Sequence, residues 1–189
     1  ESEGTPLGNV TPWVRGKIKT LKGLPYQRSL RREEEMNNPD EQRRNAFRNR
    51  SFNLSYREHL LESEQLLAGR PFSGRYEPTT GKPAEISVEH KYAQALGLNL
   101  GDRMGIEVSG ILIEAEVVNL RRVRWTSFQP NFFVQMQPGV LDRAPKTFLG
   151  TLHHLSQEKK VQIQDQLVRK FPTVSILDVE RTGKKIPQV

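Results

Sequence analysis

The chain has 189 residues, 35% of them hydrophobic and 27% charged, with a formal net charge of +7; that length suits one domain, or two small lobes sharing a core. Cysteine is absent, which excludes a disulfide scaffold, Cys-ligated zinc and thiol catalysis together, and no apolar run reaches the ~18 residues that a bilayer-spanning helix needs. The basic excess is local, since residues 15–50 carry 11 Lys/Arg against 5 Asp/Glu and residues 51–189 carry 18 against 15, so phosphate, anionic lipid and acidic partners are the ligand classes to weigh.

The sequence opens on Glu1 with no signal-peptide pattern, which reads as an excised or processed piece of a longer protein. Residues 1–12, small, polar and rich in Pro and Gly, predict a frayed lead-in. From Trp13 the pattern alternates, with Val14, Ile18 and Thr20 on one side and Arg15, Lys17 and Lys19 on the other. That is a half-buried strand, broken by Gly23 and Pro25. Residues 28–50 are too poor in apolar side chains to offer a core face. Asn38-Pro39-Asp40-Glu41 reads there as a helix start, with acids at the positive end of the dipole.

"SFNLSYRE" alternates Phe52, Leu54 and Tyr56 with polar partners and predicts a second strand. "EQLLAGRPFSG" is an apolar run closed by Gly69 and Pro71. Gly81-Lys82 is no phosphate loop, because Pro83 stands where the hydroxyl residue is required. Ile86 and Val88 predict a short strand, and Tyr92, Ala93 and Leu96 share one face of a brief helix ended by Gly97. Met104, Ile106 and Val108 then alternate into a hairpin at Ser109-Gly110, with Ile111, Ile113, Ala115 and Val117 on the return. "NFFVQM" and "TFLGTLHHL" predict two further strands around a Pro138-Gly139 turn. Ser156 is an N-cap for an amphipathic helix carrying Val161, Gln164, Leu167, Val168 and Phe171. Pro172 closes that helix, and "TVSILDVE" predicts a strand completing a β-α-β unit over residues 147–180.

Side-chain chemistry narrows the function. His153 and His154, adjacent on a strand, point to opposite faces and cannot grip one ion, and no H-x-x-x-H or H-E-x-x-H spacing exists. No G-x-S-x-G elbow is present. The carboxylates Glu107, Glu114 and Glu116 fall at polar positions of alternating strands, so no metal, cofactor or catalytic residue is expected. The stretch "NLRRVRWTSFQPNFFVQM" (119–136) combines arginines and aromatics. It lacks the glycines by which RNA-binding sheets admit bases, and the bland reading is that Phe132 or Phe133 and Val134 face a core while Trp125 and Phe128 cover its edge. A basic nucleic-acid-binding module using residues 15–50 and 121–133 is the alternative; a lipid hydrolase has no sequence support.

Taken in order, "VRGKIKTLKG", "SFNLSYREHL", "LLAGRPF", the block from "ISVEHKYAQALGLNLGD" through "LRRVRWTSFQPNFFVQMQPGVL", and "FPTVSILDVE" resemble the large extracytoplasmic segment of bacterial FtsX-like ABC transporter permeases. The subgroup is that of predicted antimicrobial-peptide or lipid exporters with a MacB-like periplasmic core. The resemblance implies an α+β, two-lobed fold: an α/β lobe (13–85 and 129–180) with the β-α-β unit and a charged insert at 28–50, a small β-rich lobe (86–128), and a tail (181–189) leading toward a membrane helix. It further implies a non-catalytic periplasmic segment of an inner-membrane protein. A cytoplasmic ATP-binding subunit acts on it through membrane helices, a periplasmic protein or lipidic client is its partner, and nucleic acid is not. Arg121, Arg122, Arg124, Trp125, Phe128, Asn131 and Phe132 would form the crossing between lobes, with an exposed part available to a partner.

Overall fold

The computed structural model describes residues 8, 10–26, 52–126, 129–152 and 155–177. Most of the predicted lead-in, the helix expected near Asn38, Phe128, His153, His154 and the tail at 181–189 lie outside the described residues. The chain divides into two compact units, Asn9–Thr151 and a second made of Glu1–Gly8 with Leu152–Val189.

Among the described residues every strand lies in the first unit. In chain order these are β1 (Thr11–Leu21), β2 (Leu24–Pro25), β3 (Phe52–Tyr56), β4 (Glu64–Gly69), β5 (Ala84–Glu89), β6 (Arg103–Val108), β7 (Ile111–Val123), β8 (Val134–Met136) and β9 (Thr147–Leu149), with a short helix α1 (His90–Leu96) after β5. Six of them close on themselves as a barrel. Strand β1 pairs antiparallel with β3 and β6, β3 runs parallel to β8, β8 antiparallel to β5, β5 parallel to β7, and β7 antiparallel to β6. Strand β4 lies along the upper part of β7, and β2 and β9 extend from the two ends of β1.

This corrects the expected α+β, two-lobed fold. The protein is mostly β, and strands assigned to separate lobes are joined in one closed barrel, β1-β3-β8 on one side and β5-β7-β6 on the other. The physical reason is that a sheet with one apolar face buries that face as well by closing as by accepting a layer of helices. Leu54, Ile86, Val88, Met104, Ile106, Val117, Val134 and Met136, drawn from five of the six strands, are all fully buried in one core. The expected β-α-β unit is not formed either. Strand β9 pairs with β1, and residues 173–177 carry no strand. The second unit contains α2 (Gln157–Lys170), whose Ser156 cap accepts a bond from the Lys159 N–H at 3.3 Å.

Local signals fared well where neighbours in sequence are neighbours in space. The β6–β7 hairpin turns at Ser109 and Gly110, both at positive φ (49° and 84°), as a two-residue turn with the right twist requires. Gly97 ends α1 at φ 66°, the left-handed cap expected of it. Strand β5 is the exception in pattern, being buried on both faces along all of Ala84–Glu89. Its inward residues Ala84, Ile86 and Val88 fill the barrel, and its outward ones, Glu85, Ser87 and Glu89, lie beneath chain segments that cross the outer wall.

One of those crossings depends on a glycine. Gly69 ends β4 at φ 85°, and a Cβ there would stand 2.2 Å from the Val118 carbonyl oxygen. Gly81 has a similar φ of 67° with open space around it. Gly69→Ala therefore meets both backbone strain and a collision, whereas Gly81→Ala meets strain alone, about 1 kcal/mol. In urea denaturation Gly69→Ala should lower the midpoint well beyond Gly81→Ala; equal shifts would show that the β4–β7 approach is looser than described.

Candidate functional site: a buried charge cluster under the 124–133 crossing

Between β7 and β8 the described residues 124–126 and 129–133 of the 124–133 crossing lie over the barrel wall, and charged side chains of four elements meet beneath them. Glu64 opens β4, Arg121 lies near the end of β7, Glu89 closes β5, and Arg57 follows β3. Arg121 and Glu64 have no side-chain exposure at all. Such burial of ions is costly unless each is paired and hydrogen-bonded, and for Glu64 the geometry meets that condition in full, whereas Arg121 is paired through Nη1 and hydrogen-bonded through Nη2 alone. Both oxygens of Glu64 are engaged: Oε1 accepts from Gln135 Nε2 at 2.8 Å and faces Arg121 Nη1 at 3.3 Å, while Oε2 accepts from the Leu61 N–H at 3.0 Å and faces Arg57 Nη1 at 3.7 Å.

The two arginines turn this paired charge toward the crossing. Arg121 Nη2 donates to the Phe132 carbonyl at 2.5 Å, and Arg57 Nη2 to the Pro130 carbonyl at 3.1 Å. Around them Ser63 Oγ donates to Asn131 Oδ1 at 3.1 Å, the Arg124 N–H to the Ser63 carbonyl at 2.8 Å, and the Glu89 N–H to the Phe133 carbonyl at 2.8 Å. Burial pulls the Arg121 guanidinium down to about 10, with Glu64 and Glu89 opposing and Arg57 adding to the fall. Burial lowers Arg57 too, against the pull of Glu64. Glu89 is Cα-paired with Arg121 across β5 and β7. Its Oε2 accepts from the Tyr92 N–H at 2.8 Å to cap α1, and its Oε1 lies 2.9 Å from His90 Nδ1. Two carboxylates and two guanidiniums thus share a largely enclosed space, close to electrical balance.

The residues singled out from sequence separate by depth. Arg121 and Phe132 are buried, and Asn131 is half-buried and engaged by Ser63. Arg122, Arg124 and Trp125 are exposed, Trp125 by 46%. The Trp125 ring covers Phe133 at a centroid distance of 4.6 Å, and Phe133 stacks on Tyr92 at 4.9 Å, so an aromatic column runs from solvent to the core. Glu64, Arg57, Glu89 and Gln135 were missed. Their one legible trace is Glu85-Ile-Ser-Val-Glu89, in which carboxylates alternate with core residues on a strand that has no solvent face.

A second polar clamp secures the loop after β4. Glu85 accepts from Arg70 Nη2 at 2.7 Å and from the Ser73 N–H at 2.7 Å, and Gln137 Nε2 donates to the Gly74 carbonyl at 3.0 Å. Burial works to raise the Glu85 carboxyl, but the bonds from Arg70 and Ser73 outweigh it and hold the group below its ordinary range.

This architecture holds segments in place. Among the described residues no group of three or more His, Asp or Glu could hold a metal ion, and no helix is long and apolar enough to cross a membrane.

Comparison with known proteins gives the class. No family model matches the chain, yet it is related to a segment of an ABC transporter permease. Over 148 residues it is 30% identical to the uncharacterized ABC transporter permease YbbP of Escherichia coli (strain K12), an alignment taking in 78% of this chain and 17% of that protein. The chain therefore matches only a small part of its relative's length.

Two outcomes follow from the cluster. Arg121→Met strands Glu64 and should cost about 3–5 kcal/mol, while Arg121→Met with Glu64→Leu should cost clearly less than the sum of the single changes; additive losses in urea titration would mean the pair is not coupled. Because the folded Glu85 carboxyl lies below its unfolded value, its stabilisation is complete above the unfolded range and is lost as pH falls toward the lower folded value. Glu85→Gln should flatten that acid-side decline in thermal melts, and an unchanged slope would contradict the assignment.

Proposed function

We propose that the chain is the extracytoplasmic domain of a bacterial ABC transporter permease of the FtsX-like, MacB-related type, and that it performs no bond chemistry itself. The observation that carries this reading is the 30% identity with a permease over 78% of the chain. The structure supports it through its mechanics. A closed barrel with its wall segments clamped by buried ion pairs moves as a unit, which is what a part that transmits motion from membrane helices requires. In this reading a cytoplasmic ATP-binding subunit burns the fuel, and the domain changes posture against a periplasmic protein or a lipidic or amphipathic client.

Exposed Arg122, Arg124 and Trp125 form the partner-facing part of the crossing, anchored from below by Arg121 and Phe132. Arg121 is unavailable to a nucleic acid because it is enclosed, which leaves a phosphate-reading surface without one of its three arginines.

Topology tests the assignment directly. The chain has no cysteine, so Arg122→Cys in the parent permease, with any cysteines elsewhere replaced, supplies one exposed reporter. A membrane-impermeant maleimide should label it in cells with a permeabilised outer membrane and an intact inner one. Labelling only after inner-membrane lysis would reject the extracytoplasmic reading.

A further inference from the structure

Both covalent links between the barrel unit and the rest of the chain pass through one narrow ribbon. The unit runs from Asn9 to Thr151, and each of those ends lies two residues from the pairing in which Thr11 faces Leu149, Pro12 faces Phe148 and Trp13 faces Thr147. The two strands of this ribbon are held very differently. Strand β1 continues into the barrel wall, where β3 and β6 pair with it. Thr11 and Val14 are buried, and Ser55 Oγ of β3 donates to the Pro12 carbonyl at 2.7 Å. Strand β9 lacks such support. All three of its residues are exposed, Phe148 by 62%, and among the described residues it pairs with β1 alone. Pro12, opposite its centre, has no N–H to give. Immediately before β9 the chain is pinned again: Lys146 Nζ donates to the Asp142 carbonyl at 3.0 Å and lies 5.3 Å from the centroid of the Tyr56 ring of β3.

We propose that β9 is a releasable strap, which peels from β1 as far as the Lys146 anchor and turns a stiff two-stranded attachment of the barrel into a single-stranded swivel. The reason is unequal stability. Local opening costs least where backbone bonds face solvent and few apolar contacts are lost, which describes β9 and not β1. Two strands bonded side by side resist both twisting and bending, whereas one strand leaves rotation about its own backbone bonds free. Release also frees three residues of chain, which span about 10 Å when extended. The barrel, closed and clamped, keeps its form throughout, so the motion is concentrated at its attachment. The strap follows from the barrel unit alone; its use in transmitting motion rests on the permease reading.

Because the chain lacks cysteine, Thr11→Cys with Leu149→Cys places two thiols on directly opposed residues, within reach of a disulfide. In the unaltered 189-residue chain the β9 amides that donate to β1 should exchange through an opening well below the global limit set by β3 and β6. In the oxidised variant they should exchange at least about a hundredfold more slowly. In the parent permease with its ATP-binding partner, other cysteines replaced, oxidation of this pair should lower ATP turnover about tenfold, as blocking a conformational step that limits turnover does. A reductant should restore it. Lys17→Cys with Glu107→Cys, opposed across β1 and β6 within the barrel wall, should bridge without effect on turnover. β9 amides already at the global limit in the unaltered chain would overturn the proposal. So would turnover indifferent to the Thr11–Leu149 bridge, or depressed equally by both bridges. Maleimide labelling of the parent permease reads the extracytoplasmic assignment without either bridge, so the two readings fail separately.

Discussion

The fully enclosed pair of Glu64 and Arg121 is the constraint on which the arrangement of the barrel wall depends. Both side chains are fully enclosed, so each fixes the other, and the Nη2 atoms of Arg121 and Arg57 are directed to backbone carbonyls of the crossing. Through Arg121 the pair holds the Phe132 carbonyl, through Arg57 the Pro130 carbonyl, and through Gln135 it is tied to β8. Compared with an apolar plug of the same volume, such a cluster contributes little net stability. What it contributes is position: strands β4, β5, β7 and β8 and the 124–133 crossing are set relative to one another by bonds with defined directions.

The two faces of the barrel wall divide the work. The interior is a close-packed set of Leu, Ile, Val and Met side chains, which supplies the bulk of the folding free energy. The outer wall around β5 is polar but shielded, and there the Glu64–Arg121 and Glu85–Arg70 clamps hold down the segments that would otherwise be ordinary loops. Exposed Trp125 packs on Phe133, which in turn stacks on Tyr92, so its ring joins the outer face of the crossing to the core. Clamping of this kind resists internal deformation, which is the property the proposed role in a permease calls for.

Much of the fold was legible, but only at short range. Alternation marked β1, β3, β6 and β7, Ser109-Gly110 marked the hairpin, and Gly97 and Ser156 marked helix ends, because each signal is a local demand of backbone geometry. Closure was not legible: it depends on the parallel pairings of β3 with β8 and β5 with β7, which join residues far apart in sequence and leave no periodic trace. Residues 173–180 show the converse. Their apolar pattern reads as a strand, yet 173–177 pair with nothing of that kind, since propensity alone does not provide a partner. At the site, Arg121 was singled out for its company of arginines and aromatics, whereas Glu64 and Arg57 stand in polar-looking stretches where a charged residue normally implies solvent. Their burial follows from segments of the chain folding over one another, which no window of sequence contains.

The central claim is that the Glu64–Arg121 pair locks the 124–133 crossing onto the barrel, and native-state hydrogen exchange reads that lock most directly. In the unaltered chain the amides of Arg124 and Glu89, which donate to Ser63 and to Phe133, should exchange only through opening close in free energy to global unfolding. In Glu64→Gln those two amides should exchange through a lower, local opening while β1 and β6 keep the global limit. Protection at Arg124 and Glu89 that falls only in step with the rest of the barrel would contradict the account.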